Sequence, residues 1–369
     1  MALTKSRTTT AISWRPLQTA KSLIVVSIVV VILAIVPVVS DSQYALDVLM
    51  RAILFATLAI GLNIVVAQAG LLDLGYIAFW GVGAYTTAIL SSPRFGFHLE
   101  FFTVLGISAI TACVFAIIIG FPTLRLRGDY LAVVTLGFGE IVRIGLNNMT
   151  PVTGGPSGIQ SVDPPVIFGF EFGYNLTPYY YLALATLVAG VIVASVLFRS
   201  RIGMSWTALR DDEIAARASG IRPLRMYLVA FGIGALFAGV SGSIFARVQA
   251  SVSPDSFIVD QSYMVLAIVV LAGLTKRLWP LIVAACVIIA LPEVLRGFDE
   301  YRMLIFGPVL VLAVVLRENG GKISYFLSEK LSLGRRRPRY NRTGLSQPDD
   351  SEVKDCLLYT SPSPRDRTR

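Results

Sequence analysis

The sequence is poor in histidine, cysteine and charge, and each scarcity removes a class of function. With His98 as the one histidine and no clustered ligand set, there is no metal site and no nucleophile–base constellation to read. That argues against a membrane-embedded enzyme. Cys113 and Cys286 lie inside apolar runs without paired spacing, which reads as buried packing thiols and gives no disulfide framework. Charged residues make up 15% of the 369, against about 25% in a soluble domain. No G-x-x-x-x-G-K-[ST] phosphate loop is present, so any ATP used would be hydrolysed elsewhere.

Apolar residues take the place of charge. They form 55% of the chain, and mean hydropathy is +0.70. Apolar runs long enough to cross a bilayer as helices recur at 23–39, 52–69, 74–90, 101–122, 129–147, 179–198, 225–248, 257–274, 277–295 and 301–316. The expected fold is an all-α polytopic membrane protein of about ten transmembrane helices (eight to ten), occupying residues 23–316. The first run follows Lys5, Arg7, Arg15 and Lys21, is long for a signal-peptide core and lacks an A-x-A site, so it reads as a retained span. From Ala52 to Leu90 the chain is nearly free of charge, roughly twice the bilayer thickness if it were one helix, so it must fold back. "AGLLDLG" (69–75), with two glycines and Asp73, is the natural break, interrupted or re-entrant, and tolerable where protein or a wet cavity satisfies the backbone.

The net charge of +9 is distributed as in a membrane protein, with no basic domain for nucleic acid. Bases gather in the tail 1–22, at Arg125 and Arg127, in the loop 199–225, at Lys276 and Arg277, and in the tail 317–355. The alternate loops hold only Arg51, Arg94, Arg296 and Arg302. This asymmetry puts the N-terminus and the 199–225 loop in the cytoplasm. The loop 147–178, on the outer side, has no Lys or Arg and is rich in Gly and Pro; an ordered lid or docking surface and a plain solvated loop both fit it. Residues 356–369 begin "CLLYTSPSPRD", which reads as a translated sequencing adaptor and is excluded from the fold reasoning; a natural disordered tail is the alternative.

Within the basic loop, "RDDEIAARASG" (210–220) has helix signals at both ends. Asp211 or Asp212 can cap the start, Glu213 and Arg217 can pair four apart, and Gly220 offers the stop. About two turns is too short to persist alone in water, so the helix needs a partner to dock against. Ile214, Ala218 and Ile221 share one face, and Ala215 and Ala216 keep the adjoining surface small, as on a ridge that enters a partner's groove; a solvated loop helix is the bland alternative.

The stretch Ala215-Ala216-Arg217-Ala218-Ser219-Gly220 resembles the cytoplasmic coupling motif of bacterial ABC-importer permeases, with Ile214 where that motif has Glu and Glu213 shifted by one. "GLLDLGYIAFWGVGAYTTAIL" (70–90), "TLRLRGDYLAVVTLGFGEIVRIGLNN" (123–148), "TGGPSGI" (153–159) and "MLIFGPVLVLAVVLRENG" (303–320) resemble, in order and spacing, permeases for branched-chain amino acids. Tyr76 stands where related sequences often carry a His, and RENGG replaces a usual R-P-x-G. The likeness covers most of 45–320 and implies an ATP-driven importer in a bacterial inner membrane. It further implies a paralogous permease subunit, two cytoplasmic ABC ATPase subunits carrying ATP-Mg, an extracytoplasmic substrate-binding protein, and no cofactor on this chain. Asp211, Asp212, Glu213, Ile214, Ala215, Ala216, Arg217 and Gly220 would form the ATPase-coupling site. Branched-chain amino acids are the implied substrates, with urea or short amides as the alternative. A secondary transporter is a further rival, but no inverted repeat is visible and it needs no docking helix.

For the translocation path the candidates are Asn63, Asp73, Gly81, Gly83, Tyr85, Glu140 and Arg143. Asn63 and Asp73 bracket the break. Gly81 and Gly83 permit close helix approach, with packing as the simpler reading. Glu140 and Arg143, three apart, can neutralise each other in a span, either as a structural pair or lining the path. Arg247 is expected to snorkel to the outer interface.

Overall fold

The computed structural model describes residues 17–39, 42–96, 99–126, 128–167, 170–173, 175–274 and 276–294. His98, Arg127, the span expected at 301–316, the tail 317–355 and residues 356–369 lie outside the described residues, as does most of the 1–22 tail.

In chain order the long helices are α1 (Leu17–Val39), α2 (Gln43–Asn63) with a π-helical extension (Ile64–Gln68), α3 (Ile77–Leu90), α4 (Phe101–Thr123) and α5 (Asp129–Asn148). After a short α6 (Thr150–Thr153) and strands β1 (Ile159–Gln160), β2 (Val166–Ile167) and β3 (Phe170–Glu171) comes α7 (Leu176–Arg199). Then follow α8 (Arg201–Asp211), α9 (Glu213–Ala218), α10 (Pro223–Gln249), β4 (Ser251–Val252), α11 (Val259–Ala272) and α12 (Trp279–Val294). Apolar surroundings leave backbone amides no partner except each other, which is why these runs are helical throughout. Among the described residues, six helical stretches are long and apolar enough to cross a membrane by length and composition: Gln43–Gln68, Phe101–Thr123, Tyr130–Asn148, Leu176–Arg199, Pro223–Gln249 and Pro254–Ala272. Val25–Pro37, Ile77–Leu90 and Trp279–Glu293 are shorter apolar helices.

α2 is the central element. Every residue from Ala52 to Ala69 is buried, with α7, α10, α11 and α12 around it, so its apolar composition on all faces is what its position requires. α10 packs against both α3 and α4, and small residues set the distance. A Cβ on Gly83 would lie 2.5 Å from the Cα of Gly239, so any side chain there would force α3 and α10 apart. Gly83 is thus a packing residue. α5 differs from its neighbours: only 22% of its most apolar window is buried within the chain, and Tyr130, Val133 and Ile141 are exposed.

The 147–178 loop carries regular structure. β1 pairs antiparallel with β4, Ile159 opposite Val252, and β2 pairs with β3. Arg247 secures it, and its position corrects the expectation of a snorkelling side chain. The residue is 3% exposed; its Nη2 donates to Ser91 Oγ at 2.9 Å, its Nη1 to the Asp163 carbonyl at 3.4 Å, and the guanidinium lies over the Phe101 ring. A buried arginine is tolerable because hydrogen bonds and an aromatic face replace its hydration. The charge holds the loop instead of reaching for water.

Candidate coupling helix and translocation path

The charged stretch 210–220 spans two helices. Arg210 and Asp211 end α8, a helix within the segment whose composition reads as a loop, and Asp212 separates it from α9. Asp212 is the N-cap: its Oδ1 accepts from the amides of Ile214 at 2.8 Å and Ala215 at 3.0 Å. Glu213 pairs with Arg217 one turn on, acid toward the positive end of the helix and base toward the negative end. Gly220 takes φ +87°, and the Ile221 amide turns back to the Ala216 carbonyl at 3.1 Å, closing the helix.

The two faces of α9 are unequal. Ile214 is 81% exposed, Ala215 and Ala218 are exposed and Ile221 is half-buried, whereas Ala216 is buried against its own chain. The ridge available to another molecule is therefore Ile214, Ala218 and Ile221. α8 anchors the pair of helices: Trp206 is fully buried and its Nε1 donates to the Met226 carbonyl of α10 at 2.8 Å. Gly203, Trp206 and Leu209, buried three apart, were the signal for this helix, masked by the charges around them.

The break in the apolar run falls where composition placed it, between Gln68 and Ile77. Its amides are met partly by side chains of distant helices and partly by its own Asp73. Leu74 donates to Thr135 Oγ1 at 3.1 Å, Gly75 to the Oδ1 of Asp73 at 2.9 Å, and Ile77 to Ser262 Oγ at 3.2 Å. The Tyr76 hydroxyl donates to the Gly234 carbonyl at 2.7 Å. Asp73 is buried and organises this turn, and Asn63 is buried at the end of α2. Gly75 has to be glycine, because a Cβ there would run into the Thr135 carbonyl.

The remaining path candidates meet elsewhere. Arg143 Nε donates to both oxygens of Glu140, at 3.0 and 3.1 Å, so the sequence-read pair exists and is half-buried. A third charge missed by sequence reasoning, Asp255, lies 3.9 Å from Arg143 on the turn 254–257. Phe257 of that turn lies against Gly81 and near the Tyr85 ring. Tyr85, Gly81, Glu140 and Arg143 therefore gather around one turn, while Asn63, Asp73 and Gly83 do not join them.

Two cavities lie at opposite ends of α10. One, of about 760 Å³, has Asp47, Arg51 and Glu293 in its lining together with Leu54, Phe55 and Trp80; none of the seven path candidates lines it. The other, of about 500 Å³, is bounded by Gly70–Leu72 of the break, by Leu124–Leu126, and by Glu213 and Arg217 of α9. Glu213 and Arg217, two of the coupling candidates, thus share one cavity with the break. Among the described residues no group of His, Cys, Asp or Glu is arranged to hold a metal ion.

A multi-pass helical membrane protein with an interrupted second span and a capped helix pair exposed at one end is of the permease class. Residues 44–314 match the family model described as branched-chain amino acid transport system / permease component, and the chain belongs to that family. It is 42% identical over 301 residues to the high-affinity branched-chain amino acid transport system permease protein LivM of Escherichia coli K12, covering 76% of this chain and 70% of that protein. The LivM of Salmonella typhimurium aligns with the same identity and coverage. A probable branched-chain amino acid transport permease LivM of Methanocaldococcus jannaschii is 23% identical over 56% of this chain and 63% of its own length. No solved structure matches.

Proposed function

We propose that this chain is the membrane-spanning permease subunit of an ATP-driven importer in a bacterial inner membrane, carrying branched-chain or related amino acids handed over by an extracytoplasmic binding protein. In this reading a paralogous permease completes the pore and two cytoplasmic ABC ATPase subunits supply the energy. The chain crosses the membrane about ten times with its N-terminus in the cytoplasm. The observation that carries the proposal is α9: a six-residue helix, capped at both ends, that presents Ile214 almost fully to solvent. So short a helix does not stand alone, and so exposed an isoleucine beside small residues suits insertion into a groove. The larger cavity supports the substrate class, since its lining joins the Arg51–Asp47 ion pair (3.0 Å), which a zwitterion could meet at both charges, with the apolar surface of Leu54, Phe55 and Trp80.

The test replaces Ile214 with Asp in the assembled transporter. The variant permease is expected to insert normally and to lose ATPase subunits on purification, together with substrate-stimulated hydrolysis. Full ATPase recovery with full stimulation would remove the coupling role from α9.

A further inference from the structure

Arg210 reaches from the end of α8 to the end of the second span. Its Nη1 donates to the carbonyl of Ala67, 143 residues away in sequence, within the π-helical extension of α2. Its stem fills the space beside Gly70: a Cβ on that glycine would lie 2.8 Å from Arg210 Cγ. Gly70 itself sits at φ +76°, where the chain leaves the helix. Two residues on from Arg210, Asp212 begins α9.

We infer that Arg210 is a positioning residue that latches the ATPase-facing helices to the break in the second span. The physical reason lies at the helix end. The last carbonyls of a helix have no amide to accept from and carry its negative pole, so a cation is the natural cap. Ala67 at the end of α2 is 1% exposed, and the half-exposed side chain of Arg210 reaches in from the surface to meet its carbonyl. The cap is supplied by the neighbouring helix. The turn beneath it is π-helical, a rare and locally widened arrangement that is frequent at functional sites. Its widened bonding is visible in the Ala69 amide donating to Ile64 and the Leu71 amide to Val65. A partner that shifts α8 and α9 would draw the guanidinium from Ala67 and leave a buried carbonyl unpaired. The break must then follow the helices or rearrange. Asp211, 3.9 Å from the Arg210 Nε, is the other charge facing the guanidinium, and Trp206 ties α8 to α10 through the Met226 carbonyl.

The inference rests on the importer reading for its direction of action, but the latch can be tested without it. In the purified permease alone, Arg210→Ala is expected to speed deuterium exchange across 64–72 and to leave 213–218 unchanged. Unchanged exchange at 64–72 would overturn the latch whatever the partners do. In the assembled transporter, Arg210→Ala should retain its ATPase subunits and basal hydrolysis yet lower substrate uptake per ATP about tenfold, the effect of one lost charge-assisted hydrogen bond. Arg210→Lys should restore part of the loss. Gly70→Ala should mimic it by displacing the stem, and the double variant with Arg210→Ala should be no worse than Gly70→Ala. Uptake per ATP unaffected by Arg210→Ala would overturn the transmission role. Loss of the ATPase subunits in that variant would reassign Arg210 to docking. A wild-type permease that recovers no ATPase would instead sink the importer reading, leaving the exchange result to decide the latch.

Discussion

Arg143 stands between two acids that differ in kind. Glu140 is on its own helix and grips it through both oxygens, whereas Asp255 comes from another segment, is 83% exposed and lies at the edge of ion-pair distance. Removing one member of a part-buried pair costs more than removing both, because the survivor is left uncompensated. The two single changes are not equivalent, since Glu140→Ala leaves Arg143 a neighbour in Asp255 and Arg143→Ala leaves Glu140 none of these contacts. Arg143→Ala is therefore expected to lower stability by about 1–2 kcal/mol, below the fully buried case because both side chains retain some water. Glu140→Ala should cost less, and the double variant less than Arg143→Ala alone. Thermal unfolding of the detergent-purified permease measures all three. Additive losses would mean that the residues act separately, as they would if one faced the substrate path on its own account. The pair itself was legible at spacing three; Asp255 was not, since it lies 112 positions further on, beyond α7, α8, α9 and α10.

Elements here depend on contacts from outside themselves. α9 holds its own caps, so its ends were readable from Asp211 or Asp212 and from Gly220, and the structure chooses Asp212; its orientation was not readable. Which alanine faces inward follows from how α8 is seated by Trp206, and that depends on a carbonyl of α10. The 147–178 loop shows the same dependence in stronger form. Its two-residue strand β1 could not persist alone and is stabilised by β4 and by the buried guanidinium of Arg247. Arg247→Lys should loosen it, because one ammonium on a flexible stem cannot serve Ser91 and Asp163 together and stack on Phe101. The measurement is deuterium exchange, expected to rise over 155–165 with the middle of α10 unchanged. Equal exchange in both proteins would show that strand pairing alone holds the loop. Composition left an ordered lid or docking surface and a solvated loop equally open because Gly and Pro mark both; the strand pairs show that part of the loop is ordered.

At the scale of the whole molecule, the distribution of bases and the ends of α10 describe one axis. The cavity that gathers Gly70, Arg125, Glu213 and Arg217 lies at the N-terminal end of α10, and the cavity with Asp47 and Arg51 at its C-terminal end. If the basic loops face the cytoplasm, exposed Ser219 and exposed Ser157 lie on opposite sides of the membrane. With Cys113, Cys286 and Cys356 replaced by Ser, Ser157→Cys should react with a membrane-impermeant maleimide on intact spheroplasts. Ser219→Cys should react only after permeabilisation. Reaction of both from the outside would invert or break the topology.

The sequence by itself determined the kind of molecule and the places of the long apolar helices among the described residues, though not α8. Long apolar runs have one stable backbone arrangement in hydrocarbon, and that rule is local, so runs from Leu23 to Phe121 and beyond could be read one at a time. Helix caps, the i,i+3 pair and the glycine-marked break are local too, and all of them stand in the structure. Only the tertiary structure decided which side chains turn inward and which distant groups meet. Ala216 is buried while Ile214 is bare, Arg247 is a staple where an interfacial charge was expected, and Arg210 caps a helix that ended 142 residues earlier. A charge in a membrane protein is driven by its unmet hydrogen bonds to whatever polar group the packing brings near. That neighbour is set by the arrangement of helices, which no stretch of sequence around Arg210 or Arg247 contains.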